Sequence, residues 1–173
     1  DYIIGGNVLE RYDIGTFSVW VKPKSLEYAR ILDKKRNHTS DGNGLSLIME
    51  YPNGGSFSFG LNRGDNPYTS GLKKNNLDKF YHVVGVSDGS NISLYVDGTL
   101  ESSKDVNTGA AYSNERVRIG GAYALFNGIL DDVRIYNRAL SEAEVAALYD
   151  LEKPEVTLTT GLVAYYPFNG NAN

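Results

Sequence analysis

At 173 residues and a formal net charge of −4, the chain is long enough for one domain with a full core. It gives no electrostatic reason to meet nucleic acid or an anionic membrane, and no apolar run approaches the ~20 residues needed to cross a bilayer. There are no cysteines, which removes disulfides and thiolate metal sites, while 13 Tyr and 19 Gly suit short strands joined by tight turns.

The chain opens in a strand-like segment, Asp1-Tyr2-Ile3-Ile4, and reads as an excerpt of a longer protein. Thr16–Pro23 alternates, with Phe17, Val19 and Val21 on one face and Ser18, Trp20 and Lys22 on the other, which predicts a strand with one face in a core. A short strand over Arg30–Asp33 is followed by a polar, glycine-rich loop, Lys34–Gly44, whose basic run Lys34-Lys35-Arg36 reads as solvated. Leu45–Glu50 and Ser56–Leu61 form a hairpin across Tyr51–Gly55, and Asn62–Gly71 is loop with a weak strand around Tyr68–Leu72. Phe80–Ser87, Asn91–Val96 and Thr99–Ser103 make a meander, turned at Asp88-Gly89 and Asp97-Gly98. After loop Lys104–Asn114 come strands at Arg116–Gly121 and Ile129–Tyr136. Ser141 and Glu144 then form a capping box, with Leu140 and Val145 as a hydrophobic staple, and predict a short helix.

Gly128–Asp150, GILDDVRIYNRALSEAEVAALYD, resembles the closing segment of laminin-G-like, concanavalin-A-like jelly-roll domains, whose usual wording is close to G-x-I-D-D-V-R-I-Y-N-R-A-L-S-x-x-E-I. Gly128, Asp131 through Ser141 and Glu144 match it in order, with conservative departures at Leu130 and Val145. TFSVWVKP at Thr16–Pro23 resembles the family's F-T-I-S-A-W-V-K-P strand, and the closing Gly161–Asn173, GLVAYYPFNGNAN, resembles the strand that normally opens such a domain. The resemblance implies an all-β, two-sheet antiparallel jelly-roll sandwich with one short C-terminal helix. It implies a laminin-G-like unit at 1–150 lacking its opening strand, a linker at 151–160, and at 161–173 the opening strand of a following tandem copy. That strand is expected to dock on a sandwich in cis or in trans, which makes strand exchange with another copy part of the expectation.

Successive antiparallel strands cross between two rims, so strands beginning at Tyr2, Thr16, Arg30, Leu45, Ser56, Tyr68, Phe80, Asn91, Thr99, Arg116 and Ile129 fix which loops are neighbours. Gly5–Gly15, Lys34–Gly44, Asn62–Pro67, Asp88–Ser90 and Lys104–Asn114 should share one rim. The other rim should bring Asp1 near the Asn127–Asp131 turn.

Two histidines and no cysteine cannot build a Cys/His pair or a three-histidine zinc site, and no G-x-S-x-G elbow surrounds any serine. A non-catalytic module is expected. The family resemblance implies calcium as a possible cofactor, with Asp1 and Asp131 as its ligands. Carbohydrate sites in such sandwiches combine stacking aromatics with amide, carboxylate and guanidinium groups. The candidates on the loop-rich rim are Asp41, Asn43, Asn62, Arg63, Asp65 and Tyr68. Arg63-Gly64-Asp65 also spells a tripeptide used by integrin ligands, a pattern short enough to arise by chance. The expected use is adhesion or carbohydrate binding in an extracellular or cell-surface protein, with a glycan or cell-surface protein as partner and neither nucleic acid nor membrane insertion. The competing expectation is a structural spacer with no ligand of its own.

Overall fold

A computed structural model describes residues 3–6, 8–35, 44–50, 55–62, 68–70, 76–77, 79–106, 112, 114–121 and 124–154. Its strands are β1 (Ile3–Ile4), β2 (Ile14–Pro23), β3 (Ala29–Lys35), β4 (Gly44–Met49), β5 (Phe57–Asn62), β6 (Tyr68–Ser70), β7 (Tyr81–Asp88), β8 (Asn91–Val96), β9 (Thr99–Asp105), β10 (Arg118–Ile119) and β11 (Gly128–Tyr136). They form a sheet ordered β1-β10-β3-β4-β5-β6 and a second ordered β11-β2-β7-β8-β9. Every pairing is antiparallel. All eleven expected strands are present, and within each sheet their directions alternate as the count along the chain requires.

The core lies between the sheets. Phe17, Val19 and Val21 of β2 face Leu45, Leu47 and Met49 of β4 and Phe57, Phe59 and Leu61 of β5 in one buried cluster. Alternation in β2 is therefore real, because each inward side chain escapes water while its neighbours turn outward. Phe17 meets Phe59 edge-on at 6.3 Å, and Phe57 meets Tyr81 at 5.7 Å. Gly85 of β7 lies under Phe59, where an added Cβ would stand 2.1 Å from the ring. That glycine makes room for an aromatic ring rather than for a turn.

The outward faces of β2 and β7 are also buried, which two-faced alternation alone would not predict. Helix α1 (Glu142–Glu152) is the reason: Leu140 and Val145 pack on Val84, Val86 and Tyr95. The predicted capping box is complete, with Ser141 Oγ accepting from the Glu144 backbone and Glu144 accepting from the Ser141 backbone. Arg138, first, and Ser141 hold the Glu144 carboxyl down to about 2. Thr16 Oγ1 donates to Arg138 O at 2.9 Å and accepts from Leu140 N at 3.0 Å, pinning the turn before the helix to β2.

Asp97, at φ 50, and Gly98, at φ 77, form the expected tight turn between β8 and β9. Three readings change. Lys34 belongs to β3 and is fully buried, its Nζ donating to Glu115 O. Its register partner is the core residue Leu45, so the basic run begins inside the sandwich rather than in a solvated loop, and burial lowers the Lys34 pKa. Strand pairing at Arg116–Gly121 is confined to Arg118–Ile119. Helix α1 continues to Glu152 with Lys153 as its C-cap; the remaining expected linker and the segment 161–173 lie outside the described residues.

Candidate functional site

The loop-rich rim is built by hydrogen bonds, mostly of the backbone, that tie one connection to the next. Ser87 Oγ, at the end of β7, donates to Asp13 O at 2.6 Å, and Val106 N donates to Ser90 O at 2.7 Å. Gly5 N donates to Val117 O at 2.7 Å, and Arg11 forms an antiparallel bridge with Tyr112. The connections after β1, β7 and β9 therefore meet on a single rim, as the alternation of strands requires. Because β11 runs antiparallel to β2 and Tyr136 pairs with Thr16, the end of β11 is delivered to this rim as well. Asn137 then lies beside the β1–β2 connection.

Where those segments cross there is an open groove of about 420 Å³ lined by Val8, Leu9, Glu10, Arg11, Ile14 and Asn137. This lies within the ~300–1,000 Å³ range of small-ligand sites. Leu9 and Tyr12 are buried and close the end of the core beneath it. Asp13, 1% exposed, accepts from Arg11 Nε at 3.1 Å and from Nη2 at 2.5 Å. The buried carboxylate fixes the guanidinium plane and, by its hydrogen bonds first, raises the Arg11 pKa further.

Asn62 ends β5 opposite Gly44, and Tyr68 opens β6 opposite Gly60; Asp41, Asn43, Arg63 and Asp65 lie outside the described residues, as does Asp1. Asp131 stands within β11 and not in the turn before it, because Gly128–Asp131 already pairs with Pro23–Trp20. The pairing shifts register between Asp131 and Arg134, with Asp132 at φ 46, and Asp131 Oδ1 accepts from Asp132 N at 2.9 Å. Among the described residues no three of His, Cys, Asp and Glu gather as metal ligands. Of the two expected calcium ligands only Asp131 lies among the described residues, with Asp132 next to it in the chain.

A second polar cluster sits under the helix. Ser18 Oγ and His82 Nε2 are 2.9 Å apart, Trp20 Nε1 donates to Glu152 Oε2 at 2.9 Å, and Arg134 pairs with Glu152. Tyr149 stacks on Trp20 and on His82, at 5.9 Å from each. Trp20 is thus a packed residue, but beneath the helix rather than between the sheets. Serine, histidine and carboxylate stand close, yet a hydrolytic triad places its acid on the ring nitrogen remote from serine. Here Glu152 Oε2 is 3.7 Å from the same Nε2, Nδ1 has no partner among the described residues, and His82 is fully buried. Burial lowers the His82 pKa to about 4, so the ring is neutral near pH 7. The arrangement anchors the last helical turn to the sheet.

Two antiparallel sheets packed face to face, with one helix sealing an outer face, define a lectin-type jelly-roll sandwich. The chain belongs to the concanavalin A-like lectin/glucanases superfamily, whose laminin-G family model matches residues 4–146. No curated protein matches it. Among solved structures it is similar to the heptameric SAP-like pentraxin of Limulus polyphemus, with 21% identity, a TM-score of 0.69 and coverage of 86% of this chain and 75% of that one. It is also similar to the CBM40 of the Ruminococcus gnavus IT-sialidase bound to alpha2,3 sialyllactose, with 18% identity, a TM-score of 0.67 and coverage of 83% and 84%. A third is domain 4 of the extracellular arabinanase AbnA from Geobacillus stearothermophilus in complex with arabinotriose, with 22% identity, a TM-score of 0.61 and coverage of 84% and 70%. At these identities the likeness is one of fold.

Proposed function

We propose that this chain is a non-catalytic carbohydrate-binding module of an extracellular or cell-surface protein, and that it holds its glycan on the loop-rich rim. The observation that carries this reading is the rim groove, where a fixed guanidinium, a carboxylate and a carboxamide converge over an aliphatic floor. Sugars are held by such mixtures, since each hydroxyl both donates and accepts. Structures of the same fold in complex with sialyllactose and arabinotriose support a glycan over a protein partner. A glycan array probed with the chain is the test. Binding to a defined set of sugars is expected, and silence across the array would leave a spacer or a protein-binding module.

Two parts of the reading need their own tests. Calcium at Asp131 and Asp1 requires donors beyond those described, and a melting temperature unmoved by chelator and by added calcium removes it. Exchange of Gly161–Phe168 with another copy is tested by truncation after Pro154, which spares Glu152. Unchanged stability and oligomeric state would discard that exchange.

A further inference from the structure

Arg11 and Tyr112 are directly opposed in an antiparallel bridge, and side chains of such a pair project to the same side with Cβ atoms about 5 Å apart. Tyr112 is 69% exposed, so its side chain is open to solvent at the position opposite the arginine that lines the groove. Arg11 is held by Asp13 through Nε and Nη2, which leaves the Nη1 side of its fork turned away from that carboxylate and able to donate. Glu10 and Asn137, both exposed, supply acceptors, and Asn137 a donor as well. Arg138, the next cation along, is engaged by Glu144 at 2.8 and 3.0 Å and adds no free positive charge.

Among the described residues at the groove, formal charges are −1 for Glu10, +1 for Arg11 and −1 for the Asp13 that holds it, a net −1. A sugar carboxylate entering here would meet Glu10 and an arginine already neutralised by Asp13. A neutral ring would instead donate its hydroxyls to Glu10, accept from Arg11 and lay an apolar face on Tyr112. We propose that the groove lined by Leu9, Glu10, Arg11, Ile14 and Asn137 is the seat of a neutral sugar residue, with Tyr112 as its stacking platform and Glu10 as the group that rejects acidic sugars. This rests on the glycan-binding reading and adds the ligand class and the residues that select it.

The experiment titrates the chain with free arabinose, galactose, glucose and mannose and their short oligomers, against N-acetylneuraminic and glucuronic acids, by calorimetry. Neutral sugars should bind and the acidic ones should bind at least about tenfold more weakly. Tyr112→Ala and Asn137→Ala should each weaken neutral-sugar binding by about five- to tenfold without moving the melting temperature, and Glu10→Gln should narrow the gap between neutral and acidic sugars. Acidic sugars binding as tightly as neutral ones, or neutral binding indifferent to both Tyr112→Ala and Asn137→Ala, would overturn the inference while leaving glycan binding intact. No binding of any sugar, here and on the array, would overturn both.

Discussion

Acidification tests the packing of the helix on the sheet, because His82 is buried in its neutral form. Its pKa is about 4 against an ordinary value of 6.5, with burial as the main cause. Asp97, whose Oδ1 accepts from His82 N at 2.9 Å, and Asp132 work in the opposite direction, while Arg134 reinforces the lowering. The unfolded chain therefore takes up this proton first, and the stabilisation is complete above pH ~6.5 and lost as pH falls toward 4. A depression of about 2.5 units corresponds to roughly 3 kcal/mol at full effect. Urea unfolding at a series of pH values, for the chain and for His82→Gln, isolates the contribution, since the other titrating groups remain in both. Between pH 6.5 and 4 the native chain should lose stability more steeply, with the curves diverging by about 3 kcal/mol in their pH-dependent part. Parallel curves would refute the claim that His82 is held neutral beneath the helix.

Gly85→Ala should be among the most disruptive small changes, because the new Cβ would meet the Phe59 ring at 2.1 to 2.6 Å; a loss of about 2–3 kcal/mol by denaturant titration is expected. Glu152→Ala removes the acceptor of Trp20 Nε1 and the partner of Arg134, and should cost about 3 kcal/mol and expose the helix end to hydrogen exchange. Ser141→Ala should cost about 1 kcal/mol by loss of the N-cap, with a normal melting temperature counting against the cap's role.

Much of the fold was legible because it depends on local chemistry. Alternation in Thr16–Pro23, the Asp-Gly turns at Asp88-Gly89 and Asp97-Gly98, and the Ser141–Glu144 box each act within a few residues. Helix cover on the outer face of β2 could not be read there: Ser18 and Trp20 alternate with the core residues, and only the fold brings Tyr149 and Glu152 over them. Lys34 was misread for a related reason: a lysine in a basic run signals solvent, and only the pairing of Lys34 with Leu45 turns it inward. The candidate site divides the same way. Strand alternation indicated the rim, and Gly5–Gly15 was assigned to it, while the expected sugar ligands at 41–68 lie mostly outside the described residues. Nothing in Val8–Ile14 marks a groove without Asn137, whose arrival depends on β11 pairing with β2. Asn137 did stand in the family motif, and an exposed amide directly after a closing strand was the signal available.

The most direct test of a sugar-binding rim is to map amide chemical-shift changes during titration of the isotope-labelled chain with the tightest-binding sugar. The changes should centre on Leu9, Glu10, Arg11, Ile14, Tyr112 and Asn137, with the strands under the helix unmoved. Changes confined to any other part of the sandwich, with those six silent, would contradict the account.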